Sequence, residues 1–315
     1  MPLLADYAIT PDVFDVTSYS NDEVCTARLE TIREAMLTEG LVRDLRDGQW
    51  RSLFGSGNRA WHRRGMELVK KLATQGRLIQ HRPVLPDSPR DNQSWCAEAL
   101  ETHASRPFSG GVIVTETVKA VYANEPLVSR IDRLSSAPWW AARSSSVQLS
   151  RTLADYQKHL DPVLRCSNSI MFIDPHLDPM KKGYGQFGAL LALSGGREPV
   201  PTIEIHRVYY EGSGPDRKSP MDDDKSYFER RFRDELASPL RTAGLRAEVF
   251  VWDDFHDRFL ISNLIGISLP NGFDTGGRYQ DTRWTRLGRD DRDDIQREFD
   301  PSSNRRKLHG RFNIP

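Results

Sequence analysis

Charge of one sign is what this sequence lacks: 44 Lys and Arg stand against 44 Asp and Glu, for a formal net charge of zero over 315 residues. The global electrostatic footprint of a dedicated polyanion binder is therefore missing, and any anion site has to be local. Cysteine is scarce as well. Cys25, Cys96 and Cys166 are odd in number, widely spaced and without a Cys-x-x-Cys pair. That pattern excludes a disulfide framework and a cysteine-built zinc site, and it predicts free thiols in a reducing, cytoplasmic compartment. Long apolar runs are absent, since nowhere do about 18 consecutive apolar residues occur. The opening MPLLADYAITPDVFD has no basic stretch followed by an apolar one, so neither a membrane span nor a secretory leader is expected.

What is present suffices for two domains or one large one, with 38% hydrophobic residues to fill a core. Residues 22–39 and 59–76 show helical spacing closed by glycines. Residues 78–84 (LIQHRPV) and 110–122 (GGVIVTETVKAVY) read as strands around a helix at 91–104. This predicts a smaller mixed α/β domain over 1–143. The stretch APWWAARSSS, 137–146, interrupts the periodicity and marks the boundary with a second domain over 144–315. There the pattern alternates: helix 152–165, strand SIMFI at 169–173, a helix around 184–194, strand TIEIHRVYY at 202–210, helix 222–242 and strand RAEVFVW at 246–252. A βαβαβ order implies an α/β fold whose mixed sheet is parallel over this stretch, with helices on both faces. Its functional residues are expected at the carboxyl ends of the strands.

Three histidines fall at such strand positions: His176 in FIDPHLDP, His206 in IEIHRVYY and His256 after VFVWDDF. A lone strand histidine such as His206 is ordinarily a hydrogen-bonded core residue. Asp174, His176 and Asp178 have the ligand types of a metal cluster. However, Pro175 and Pro179 point instead to a turn capped by an aspartate. The runs MDDDK, 221–225, and RDDRDDIQRE, 289–298, read as solvated surface. So does the tail SNRRKLHGR, 303–311, the alternative being a phosphate-tracking arm. In FHDRFLIS, His256 and Arg258 share a face if the segment is extended, and an imidazole beside a guanidinium suits a phosphate.

The spacing His256, Arg258, Asn263 resembles the His-x-Lys-x-x-x-x-Asp signature of the phospholipase D superfamily, with arginine for lysine and asparagine for aspartate. More closely, HDRFLISNLIGISLPNGFD is similar to the His-Asp-Arg strand, Gly-Ile strand and Gly-Phe-Asp turn of a divergent phospholipase-D-like group. That group includes bacterial proteins linked to mobile-element defence and a membrane-binding domain of a eukaryotic abscission protein. FIDPHLDP resembles the strand ending in Asp-Pro-Tyr that opens such domains, with His176 at the aromatic position. The resemblance covers about residues 150–300.

It implies a metal-independent and cofactor-free phosphodiesterase, a nuclease-type protein of a defence or mobile-element system acting on nucleic acid or another phosphodiester. His256 would be the nucleophile and Arg258 the phosphate clamp, with Asn263 and Asp274 completing the catalytic set and Asp274 accepting an imidazole ring proton. Asn271 and Gly272 would form a tight turn at the anion, with Asp174, His176 and His206 lining it. A second histidine would protonate the leaving oxygen. Because the motif occurs once, a homodimer would pair two His256 residues across a two-fold axis. Asparagine at 263 and the single motif leave a second reading open: an inactive module that binds phosphate, on nucleic acid or a membrane surface, or an interaction subunit of a larger defence assembly. A weaker likeness, of the first half to PIN-type ribonucleases, nominates Asp12, Asp15, Glu98 and Glu116. Merely solvated acids explain those positions better.

Overall fold

The computed structural model describes residues 3–55, 60–212, 214–277 and 280–315. The chain divides into two compact units, Met1–Ser144 and Ser145–Pro315. The fold is α/β, with two sheets and helices in both units.

The first unit is built on five strands: β1 (Ala5–Ile9), β2 (Gly40–Asp44), β3 (Leu78–His81), β4 (Val112–Val114) and β5 (Val128–Arg130). They are all parallel, in the order β3-β2-β1-β4-β5. β1, β2 and β4 are buried along their whole length, as strands covered on both faces must be. The expected strand 110–122 is in fact two elements, β4 followed by a helix at Glu116–Val121. Thr115 is extended at the N-cap position and Glu116 places a carboxylate in the first helical turn, a start signal hidden inside a β-rich stretch. Trp140, in the stretch read as a boundary, is buried in this unit's core.

The second unit has eight strands. β6 (Ser146–Ser150), β7 (Ser169–Ile173), β8 (Thr202–Val208), β9 (Ala247–Trp252), β10 (Phe259–Ser262), β11 (Gly266–Ser268), β12 (Asp281–Arg286) and β13 (Leu308–Ile314) lie in the order β13-β9-β8-β7-β10-β11-β12-β6. Only β7, β8 and β9 are parallel; every other pairing is antiparallel, so the sheet is mixed, as expected, with a parallel centre. The helices Leu153–Cys166 and Tyr227–Ala243 precede β7 and β9, the latter burying Phe228, Phe232, Leu236 and Leu240 and stopping at Gly244 in the left-handed conformation. The tail is no solvated terminus. Residues 308–314 form edge strand β13, hydrogen-bonded to β9 over Leu308↔Trp252 to Ile314↔Ala247. Three of the tail's four cations are ion-paired, Arg305 with Asp294, Arg306 with Glu298 and Arg311 with Glu248, while Lys307 is exposed.

Candidate functional site

Strand order decides where the histidine segment lies. β9 and β10 are separated in the sheet by β8 and β7, so residues 253–258 must cross the carboxyl ends of both strands to connect them. These residues form no strand, and β10 begins only at Phe259. His256 and Arg258 therefore do not share an extended face. The His256 side chain is 74% exposed, whereas Arg258 folds back beneath the segment.

Arg258 is held by backbone and by a buried acid. Its Nη1 donates to the carbonyls of His256 (3.3 Å) and Pro270 (3.4 Å), and its Nε lies 3.6 Å from Asp174 Oδ1. Asp174, fully buried at the end of β7, accepts from His176 N (3.0 Å), Tyr184 Oη (3.1 Å) and Phe273 N (3.1 Å). Burial holds its carboxyl above the usual range against these donors and the charge of Arg258. Leu269-Pro270-Asn271-Gly272 is a turn closed by Gly272 N to Leu269 O at 2.8 Å, with proline and glycine where such turns prefer them. Asn271 is exposed and only Gly272 takes a positive φ, +59°. A Cβ at Gly272 would fall 1.8 Å from Asp174 Oδ2, so glycine is what lets the turn close on the carboxylate.

The imidazole of His256 lies beside Asp254, with Oδ2 3.9 Å from Nε2. No motif or spacing singled out Asp254. Tyr210 Oη, at the end of β8, donates to its Oδ1, and Arg217 Nη1 donates to its Oδ2 at 3.3 Å while lying over the Tyr210 ring. Partial burial works to raise the Asp254 carboxyl, but Tyr210, Arg217 and His256 outweigh it and hold it low. Tyr210 is pushed up to about 12 by burial and then by that carboxylate. His176 sits half-buried on the Asp-Pro-His turn, its ring edge-on to Tyr210 with centroids 6.4 Å apart. Burial, followed by the positive charges of Arg258, Lys181, Arg207 and His256, lowers it to about 4.

Three nominated residues are not at this site. His206 is fully buried between Phe250 and Trp252, stacked on both, accepting at Nδ1 from Trp252 Nε1 (3.0 Å) with Nε2 3.3 Å from Glu204. It is a core residue. Asn263 ends β10 at the opposite edge of the sheet, where Oδ1 caps the start of β7 by accepting from Asn168 N (2.8 Å) and Ser169 N (3.3 Å). Asp274 is engaged by Arg151 Nη2 (2.5 Å) and Gly276 N (2.7 Å), so it orients no imidazole; Asp254 lies beside His256 instead. The cluster Asp174, His176, Asp178 dissolves likewise, because Asp178 is paired with Arg231 at 2.7 Å. Among the described residues no group of three or more His, Cys, Asp or Glu is placed to hold a metal ion. In the first unit, Glu98 is consumed by Arg46 (2.9 Å) and the backbone of Val84 (2.7 Å), Glu116 by Arg130 (2.7 Å) and Asp15 by Thr17 (2.9 Å). Asp12 is buried against the Thr115 hydroxyl, and burial raises its carboxyl.

No family model matches the chain, and no curated protein matches it. Among solved structures it is similar to TrmBL2, described as an archaeal chromatin protein with a novel mode of DNA binding, at 13% identity, covering 79% of this chain and 84% of that one. The TM-score is 0.30, too low to bear on fold or function. No helix among the described residues is long and apolar enough to cross a membrane.

Proposed function

We propose that the second unit is a metal-independent, phospholipase-D-like phosphodiesterase with His256 as its nucleophile, a nuclease-type protein of a bacterial defence or mobile-element system. One observation carries this reading. The carboxyl edge of the sheet is tied together by polar contacts of Asp174, Arg258, Phe273 and Tyr210, yet the imidazole at its crest is left open to solvent. A supported edge presenting one solvent-open imidazole is what attack on phosphorus requires. The developing charge would be met by Arg217 and by Arg258, the latter turning from its carbonyl partners toward the phosphate. In the superfamily arrangement the leaving oxygen takes its proton from a second motif histidine, which here would come from a second copy of the chain in a homodimer. The cysteine usage, three widely spaced residues without a Cys-x-x-Cys pair, agrees with work in a reducing compartment.

A specific observation also supports the alternative, a phosphate-binding module without turnover: Arg258 is already occupied by two carbonyls and Asp174. The test is hydrolysis of single- and double-stranded DNA, RNA and bis(4-nitrophenyl) phosphate, with and without chelator. The phosphodiesterase predicts chelator-resistant activity abolished in His256→Ala with substrate affinity largely kept. No hydrolysis by the wild type, together with anion binding lost in Arg258→Ala, would instead establish the binding module.

A further inference from the structure

One bridge locates two imidazoles. Asp174 accepts from the backbone of His176, and Arg258 spans from Asp174 to the backbone carbonyl of His256. The His176 turn is braced from its other side by Arg207, a fully buried guanidinium whose Nη1 donates to Leu177 O (3.1 Å), Nη2 to Tyr210 O (3.2 Å) and Nε to Val208 O (2.8 Å). Leu177 N closes the same turn onto Asp174 O at 3.2 Å. The ring of His176 is thus presented at the carboxyl edge on a rigid support shared with the proposed nucleophile, and it is in edge contact with the Tyr210 that holds Asp254.

We infer that His176 is the general base for the second half of the reaction, within the same chain, so that hydrolysis of the intermediate needs no histidine from another copy. The inference rests on the phosphodiesterase reading. In the first step the His256 nitrogen bonds to phosphorus and the ester oxygen departs. In the second, a water oxygen bonds to phosphorus as the phosphorus–nitrogen bond breaks; the water proton passes to His176 and from there to solvent, and His256 is restored. A base must be unprotonated at neutral pH. The burial and surrounding cations that lower His176 to about 4 keep it so, while also limiting its strength.

The experiment is burst kinetics on the full chain with bis(4-nitrophenyl) phosphate, whose leaving group departs without needing a proton. Wild type should turn over steadily. His176→Gln should release about one nitrophenolate per chain and then stall, with a steady rate at least about tenfold lower and the nitrophenylphosphoryl adduct persisting on His256 by intact mass. His176→Asn serves if the glutamine variant does not fold. A folded variant with unimpaired steady turnover, or with neither burst nor turnover, would overturn the inference. A wild type without hydrolysis would overturn the phosphodiesterase reading itself, a result distinct from either.

Discussion

Gly272 has no room for a side chain: its φ is +59° and a Cβ would overlap Asp174 Oδ2 at 1.8 Å. Gly272→Ala should therefore cost at least about 2 kcal/mol in urea unfolding, by strain and by forcing a buried carboxylate from its donors. A change within about 0.5 kcal/mol, the range of ordinary surface substitutions, would show that the turn is not locked on Asp174. The histidines give a pH dependence of definite sign. His176, at about 4, and His206, lowered by complete burial, both bind protons less readily folded than unfolded, where the reference is 6.5. Their stabilising contribution is full above that reference and is lost as pH falls toward 4. Urea midpoints of the wild type should drop from pH 7 to pH 4.5, and His176→Gln should flatten part of that slope; an unchanged slope would mean His176 is not held in its neutral form by the fold. Of the residues that the proposed mechanism uses, His256, Arg258, His176 and Asp174 were legible in the sequence. Tyr210, Asp254 and Arg217 were not, because their roles come from strand ends brought together by pairing rather than from any local spacing.

At the scale of elements, the connection from β9 to β10 makes the site, since crossing two strand ends puts residues 253–258 on the carboxyl edge. The alternation that marked 169–173, 202–210 and 246–252 was readable because buried parallel strands are continuous apolar runs. β10 and β11 were visible through their motif. Asn263 misled for a physical reason: a motif fixes spacing along the chain, and on a strand an interval of five residues carries the side chain about 16 Å away, to the other edge. β13 was missed because its sequence, LHGRFNI, alternates exposed and half-buried positions with only Ile314 fully buried, a weak signal typical of an edge strand. That strand nonetheless covers β9. Deleting residues 308–315 should lower the melting temperature and promote aggregation by baring a long apolar edge. Unaltered melting and solubility would show β13 to be dispensable.

For the whole molecule, the two units each have a sheet and core of their own, and the absence of net charge means that any anion site has to be local. The single-chain base makes a definite forecast for mixtures. If the hydrolytic step is complete in one chain, combining His256→Ala with His176→Gln should give no more activity than the sum of the two; recovery on mixing would place the two histidines of a working site on different copies. Beneath both lies the claim that His256 attacks phosphorus. It is tested most directly by incubating the full chain with bis(4-nitrophenyl) phosphate in chelator, quenching within the first turnover and mapping the adduct by peptide mass. A nitrophenylphosphoryl group on His256, absent from His256→Ala, is the predicted result; turnover with no adduct on His256, or turnover retained by His256→Ala, would contradict it.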